Sequence, residues 1–316
     1  MKYRQHLPQL DGELFLTDGG LETVLIFHQG IDLPAFAAFD LLKDEVGTET
    51  LRRYYVPYVE QARECGAGFV LESPTWRASP GWADEIGYTP DELDRMNRKA
   101  IALMEDIRSE HETEATPIVI SGCLGPQGDG YDPATLLSAD AAQDYHSVQV
   151  AAFADSAADM ATAITMTYAA EAIGLTRAAV DAGLPVAVSF TVETDGRLPD
   201  GQPLGEAIEQ VDDETGRAPA YYMLNCAHPT HFEHVLEESA PWRDRIRGVR
   251  PNASTMSHSE LDEAEELDDG DPADLGRRCT ALRARLPHLN VLGGCCGTDH
   301  RHVAEISKAW LTGSPS

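Results

Sequence analysis

The run Val291-Leu292-Gly293-Gly294-Cys295-Cys296-Gly297-Thr298 sets two adjacent thiols among glycines directly after a short apolar segment. Glycine has no Cβ and tolerates positive φ, so the backbone can bend there and let a metal or ligand approach both sulfurs. Adjacent cysteines are poor disulfide partners, because the bond needs Cα atoms about 4.4 to 6.8 Å apart in a geometry that neighbours supply badly. Two thiolates on one metal suit the spacing better. A third soft ligand stands in Asn225-Cys226-Ala227-His228-Pro229, again after an apolar run, Tyr221-Tyr222-Met223-Leu224. Three cysteines fit Zn2+, and a three-cysteine centre leaves one of about four tetrahedral positions open, as in catalytic rather than structural sites. Cys226, Cys295 and Cys296 are therefore the expected metal ligands and catalytic residues.

Ligands this far apart in sequence need a fold that gathers them. Leu14-Phe15-Leu16 reads as a first strand running into the turn Thr17-Asp18-Gly19-Gly20. Apolar positions at helical spacing from 48 to 64 predict a helix closed by Gly66, and Phe69-Val70-Leu71 predicts a second strand that delivers Glu72. The alternation continues with a helix over 90–108, a third strand at 117–120 leading into Gly122-Cys123-Leu124-Gly125-Pro126, and a helix over 139–156. A fourth strand at 160–165, a helix over 168–182 and a fifth strand at 184–190 follow, the last running into Glu193. The stretch 195–205 reads as an exposed loop or a flexible lid. Strands at 221–225, 245–249 and 290–292, with helices over 272–286 and 300–311, complete eight units, while the acid-rich 260–274 reads as a solvated loop and helix start.

Sustained βα alternation implies a parallel sheet closed on itself. The expected architecture is α/β, a single-domain (β/α)8 TIM barrel over residues 1–316, with no internal repeat beyond the βα period and no linker. Asp18, Glu72, Gly122, Glu193, Cys226, Asn252 and Cys295-Cys296 each follow a strand, and in such a barrel those positions share the C-terminal rim where active sites lie. His228, His231 and His234 are spaced by three, which drifts about 300° per step around a helix and does not build a metal site.

Composition narrows the partners. The net charge of -29, from 53 acids and 24 bases, repels phosphate backbones and anionic membranes, so nucleic acid is excluded as a partner. Only four bases are lysines, and this acid-rich, lysine-poor balance matches the surfaces of proteins from salt-loving organisms. No run of about 18 apolar residues could span a membrane, and no apolar leader follows Met1, so a cytoplasmic location is expected. Six cysteines without a secretory signal are expected as reduced thiols or metal ligands rather than a disulfide framework. No nucleophile elbow supports a serine hydrolase. The composition is compatible with an oligomer.

The Gly293-Gly294-Cys295-Cys296-Gly297-Thr298 element, together with Asn225-Cys226, resembles the zinc signature of the homocysteine S-methyltransferases, which include the betaine- and S-methylmethionine-dependent enzymes. Thr17-Asp18-Gly19-Gly20, Gly122-Cys123-Leu124-Gly125-Pro126 and Pro251-Asn252-Ala253-Ser254 extend the resemblance nearly from end to end. It implies that homocysteine is methylated to methionine at the zinc, and that Asp18, Gly19, Asn225 and Asn252 contact substrate. A free thiol with a pKa of about 8.5 is mostly protonated at neutral pH, and zinc coordination makes it a thiolate. The methyl donor is expected to be a small molecule or a corrinoid on another chain, since only 20 residues follow Cys296. One departure stands out. Where family members carry a glutamate for the amino group of homocysteine, this chain has Ile164-Thr165-Met166-Thr167, leaving Glu193 or Glu72 as the replacement and another thiol as an alternative substrate. A zinc hydrolase and a non-catalytic zinc barrel are the competing classes, against which all-sulfur ligation argues.

Overall fold

The computed structural model describes residues 1–131, 136–236, 240–264 and 266–313; Glu265 of the acid-rich segment lies outside them. Eight parallel strands close a barrel in chain order: β1 (Phe15–Leu16), β2 (Gly68–Glu72), β3 (Ile118–Leu124), β4 (Met160–Met166), β5 (Val186–Phe190), β6 (Tyr221–Asn225), β7 (Ile246–Arg250) and β8 (Val291–Leu292). Closure comes from β1 against β8, with Phe15 opposite Val291 and Leu16 opposite Leu292. Parallel neighbours need long crossovers. These carry α1 (Glu45–Cys65), α2 (Pro90–His111), α3 (Ala139–Ala154), α4 (Ala169–Asp181), α5 (Leu204–Thr215), the single turn α6 (Pro229–Phe232), α7 (Pro272–Ala281) and, after β8, α8 (His300–Thr312).

Side chains alternate across each strand, which divides the core into two layers. Phe15, Val70, Val119, Met160, Ala187, Tyr221, Met223 and Val291 fill the barrel interior. Leu16, Phe69, Leu71, Ile118, Ile120, Val188, Phe190, Tyr222 and Leu224 face the helices. Both faces are buried, so the strands show as nearly unbroken apolar runs, and that is why the pattern predicts them. Leu7 belongs to the interior cluster, and Asn290, just before β8, donates to the carbonyls of Gln9 and Glu13. The N-terminal residues thus close the end of the barrel opposite the cysteines.

Local chemistry sets the helix limits. The Asp44 side chain accepts from Gly47 N, so α1 begins earlier than its apolar spacing predicts. The helix predicted over 272–286 gives way after Ala281 to a 3-10 turn, Leu282–Ala284. The stretch 195–205 is not a lid: Arg197 bridges Pro203, Leu198 is 1% exposed, and Leu204 already starts α5. That helix buries Leu204, Ala207, Ile208 and Val211 on one face. Among the described residues no helix is long and apolar enough to cross a membrane.

Candidate active site

Cys226 leaves β6 in the left-handed region at φ 52, and Thr165 near the end of β4 has φ 64. Non-glycine residues in this conformation cost on the order of 1–3 kcal/mol each and persist only where their surroundings hold them. Asn225 holds Thr165, accepting from its N–H at 2.9 Å and donating to its hydroxyl at 2.8 Å. Ser189 donates to the same Asn225 oxygen at 2.6 Å, and the Asn225 amide lies 3.8 Å from Cys295 Sγ. Asn225 is thereby a brace behind the wall, joining β4, β5 and β6 to the cysteine loop. Glycine is needed beyond β8 for lack of room: a Cβ at Gly293 would fall on the Thr17 side chain, and one at Gly294 on that of Thr298.

This packing brings the sulfurs of Cys226, Cys295 and Cys296 within 4.8 Å of one another. Cys226 Sγ and Cys296 Sγ are 3.5 Å apart, while Cys226 and Cys295 are joined as a disulfide. The rim places their Cα atoms 5.3 Å apart, inside the ordinary disulfide range, although they are 69 residues apart in sequence. Cys65, Cys123, Cys279 and Cys296 are free. Burial pushes the Cys296 thiol up, and the Tyr131 hydroxyl 3.3 Å away opposes this.

Around the sulfurs lies a cavity of about 380 Å³ whose wall includes Asp18, Gly19, Glu72, Asn252 and all three cysteines. Ile164 and Thr165 line it as well, where the family resemblance calls for a carboxylate. Asp18 is committed: Arg250 donates to one oxygen at 2.6 Å and Tyr54 to the other at 3.0 Å. Arg250 also donates to Gly294 O at 3.0 Å and Gly19 O at 3.3 Å, tying β7 to the loops after β1 and β8. Burial works against the Arg250 charge, but Asp18 and Glu72 outweigh it and raise its pKa above the usual value. Removing one partner of a buried pair typically costs about 3–5 kcal/mol. Arg250→Met is therefore expected to lower the urea unfolding midpoint by that equivalent; a parental midpoint contradicts the pairing.

Glu72 is 4% exposed, and its Oε2 has no hydrogen-bond partner. Burial pushes its carboxyl up to about 7, against the pull of Arg250. Glu22, also in the wall, is pushed up to about 7 by burial, with Asp18 adding to the effect. Glu193 does not line the cavity. Its carboxylate lies 3.1 Å from His258 Nδ1, and His258 Nε2 donates to the Cys226 carbonyl at 2.9 Å. Tyr131 stacks on His258 at 4.1 Å and sets its hydroxyl 3.7 Å from Cys226 Sγ. His228, His231 and His234 turn to Thr230, Thr255 and Asp195 and stay apart from the sulfurs. Arg250, Tyr131, His258 and Glu22 carry no sequence motif; a base at the end of a buried strand, as in Arg250-Pro251, was the one available signal.

A model of the homocysteine S-methyltransferase family matches residues 15–310. The chain belongs to that family. It is an S-methyltransferase, and the match takes in all three clustered cysteines as well as Ile164-Thr165. Two solved structures of the homocysteine methyltransferase MmuM from Escherichia coli are similar to this member of the family. The oxidized form superimposes with a TM-score of 0.73 at 19% identity, covering 96% of this chain and 97% of that one. The metallated form gives 0.72 at 18% identity, with 96% and 98% covered. At such identity the likeness establishes the shared barrel.

Proposed function

We propose that this homocysteine S-methyltransferase family member is a zinc-dependent enzyme that methylates homocysteine from a small methyl donor. The observation that carries the proposal is the meeting of Cys226, Cys295 and Cys296 sulfurs in the cavity wall. Their donor set fits the metal: they are all sulfur, mutually close, and separate from any histidine or carboxylate cluster among the described residues. The oxidized and metallated forms known for the Escherichia coli relative suggest the same pair of states here. Reduction of the Cys226–Cys295 disulfide frees two of the three ligands.

Zinc held by these cysteines would keep the acceptor thiol as a nucleophilic thiolate near neutral pH. The chain's own residues do the rest. Asn225 and the glycines at 293 and 294 fix the sulfurs, and Arg250 holds the three loops that carry them. Of the two carboxylates proposed for the acceptor's ammonium, Glu72 lines the cavity with a free oxygen, so it takes that role. Trp76, Tyr131, Phe27 and Phe36 supply the apolar wall that limits water around the reacting sulfur. In the transfer, the thiolate sulfur bonds the methyl carbon, the donor's C–S or C–N bond breaks with its pair remaining on the heteroatom, and alignment lowers the barrier.

The test is methionine formation from homocysteine and a panel of onium donors by the reduced, zinc-loaded protein, before and after chelation. Methionine that depends on zinc supports the function. A chelated protein that keeps its rate, or a loaded one that methylates only thiols lacking the amino group, contradicts zinc dependence or homocysteine specificity respectively.

A further inference from the structure

Of the three clustered cysteines only Cys226 has a positive φ, at 52. A side chain in that region must be held there by its surroundings, and relaxation to the usual region would swing the Cβ, and with it the sulfur, away from Cys295 and Cys296. Both polar groups of the Cys226 backbone are taken. Its N–H donates to the Arg250 carbonyl at 3.1 Å, one step beyond the pairing of Asn225 with Arg250 in the sheet. Its carbonyl has no strand to pair with and accepts instead from a side chain, His258 Nε2, at 2.9 Å.

His258 is 5% exposed and opens the short helix His258–Asp262. Reciprocal hydrogen bonds fix the start of that helix: Glu260 N donates to the Ser257 hydroxyl at 3.3 Å, and Ser257 N to the Glu260 carboxylate at 2.8 Å. The Glu193 carboxylate lies 3.1 Å from His258 Nδ1, on the side of the ring away from Cys226. Tyr131 stacks on the ring face, 4.1 Å between centroids and 23° between planes. The ring thus has three contacts to lose by turning. The segment after β7, which its acids present as a solvated loop, supplies the group that meets the Cys226 main chain.

We infer that His258, aimed by Glu193, is a positioning residue for the metal site: it locks Cys226 in the left-handed conformation that turns its sulfur toward the other two. This rests on the reading of the three cysteines as zinc ligands. His258 acts through the Cys226 carbonyl and stands outside the ligand set.

Two measurements on the whole chain test it. Chelator competition on the reduced protein gives the zinc affinity. Separately, the zinc-free protein is equilibrated with glutathione, where the Cys226 and Cys295 thiols and one oxidised glutathione give the protein disulfide and two reduced glutathione molecules. Peptide mapping quantifies the Cys226–Cys295 bond. Both quantities need the same placement of the Cys226 sulfur. His258→Phe keeps an aromatic ring against Tyr131 but donates nothing, whereas His258→Gln keeps an amide N–H near the Nε2 position and gives up the ring. His258→Phe should lose about tenfold or more in zinc affinity, as supports of metal ligands typically do, and its disulfide constant should fall with it. His258→Gln should regain most of both losses. Glu193→Met, which releases the ring while leaving the donor, should show a smaller loss in the same direction.

Where the parent binds zinc, a His258→Phe protein that matches it in either measurement overturns the inference. His258→Gln as weak as His258→Phe also overturns it, because packing on Tyr131 rather than donation to Cys226 would then be the role of the ring. If no variant at position 258 folds, parental values for Glu193→Met in both measurements overturn it. A parent that binds no zinc, with a disulfide constant that falls in His258→Phe and recovers in His258→Gln, sinks the zinc reading and leaves the positioning of Cys226 standing.

Discussion

On the proposed zinc site, replacing Cys226, Cys295 or Cys296 with alanine is expected to strip the metal and abolish methyl transfer while the barrel remains folded. The sulfurs sit on the rim, and both core layers pack without them. Their surroundings show how much depends on each. Asn225 and the Tyr131 hydroxyl lie within 3.8 Å of the sulfurs, and hydrogen-bond partners of metal ligands are typically worth about 10- to 100-fold in metal affinity. A ligand itself is worth more than its supports, so each variant should fall from one zinc per chain to background. Metal analysis of the reduced proteins, with circular dichroism as the folding check, reads this directly. A variant that retains full zinc removes that cysteine from the ligand set.

On the proposed ammonium role, Glu72→Gln is expected to raise the KM for homocysteine roughly ten- to hundredfold at pH 8, the equivalent of about 1.5–3 kcal/mol for a charged hydrogen bond. Methylation of a thiol without an amino group should change little. The pH dependence has a defined sign. Glu72 faces Arg250 from β7, Asp18 from the loop after β1 and Cys123 from β3, and burial dominates, holding its carboxyl at about 7. Below that pH the neutral acid cannot pair with ammonium, so the parental KM should climb as pH falls through about 7, whereas the Glu72→Gln profile should lack that limb.

Stability follows from the same shift. The folded pKa is raised from 4.5 to about 7, so the folded state keeps the proton longer than the unfolded chain. Its stabilising contribution is full below 4.5 and is lost as pH rises to about 7. Glu72→Gln should accordingly be more stable than the parent at pH 8, by up to about 3 kcal/mol, and nearly equal to it near pH 4. Parental KM values for both thiols in Glu72→Gln would exclude the ammonium role. A stability difference that grows toward acid pH would reverse the assigned sign.

The residues that could be read without a structure are those whose type speaks for itself. Strands buried on both faces leave apolar runs such as Phe69-Val70-Leu71, and a cysteine pair among glycines has few uses besides metal. What stayed hidden depends on three-dimensional neighbours. Arg250 and Arg77 are both arginines near strand ends, and only the position of Asp18 marks the first as the cation that ties the rim loops together. Glu72 and Glu193 each follow a strand, yet the first turns into the cavity and the second into His258. Asn225 sits beside a cysteine ligand candidate and braces Thr165, a left-handed position no pattern announces. Helix α5 was masked by its neighbouring Gly- and Pro-containing turn, although its buried face has ordinary helical spacing.

The three cysteines are proposed to hold a zinc whose open position takes the acceptor thiol. X-ray absorption at the zinc edge of the reduced, loaded protein, with and without homocysteine, tests it most directly. The expected spectrum has three sulfur neighbours at about 2.3 Å, rising to four when homocysteine is added. A coordination sphere of nitrogen and oxygen, or one unchanged at saturating homocysteine, would contradict it.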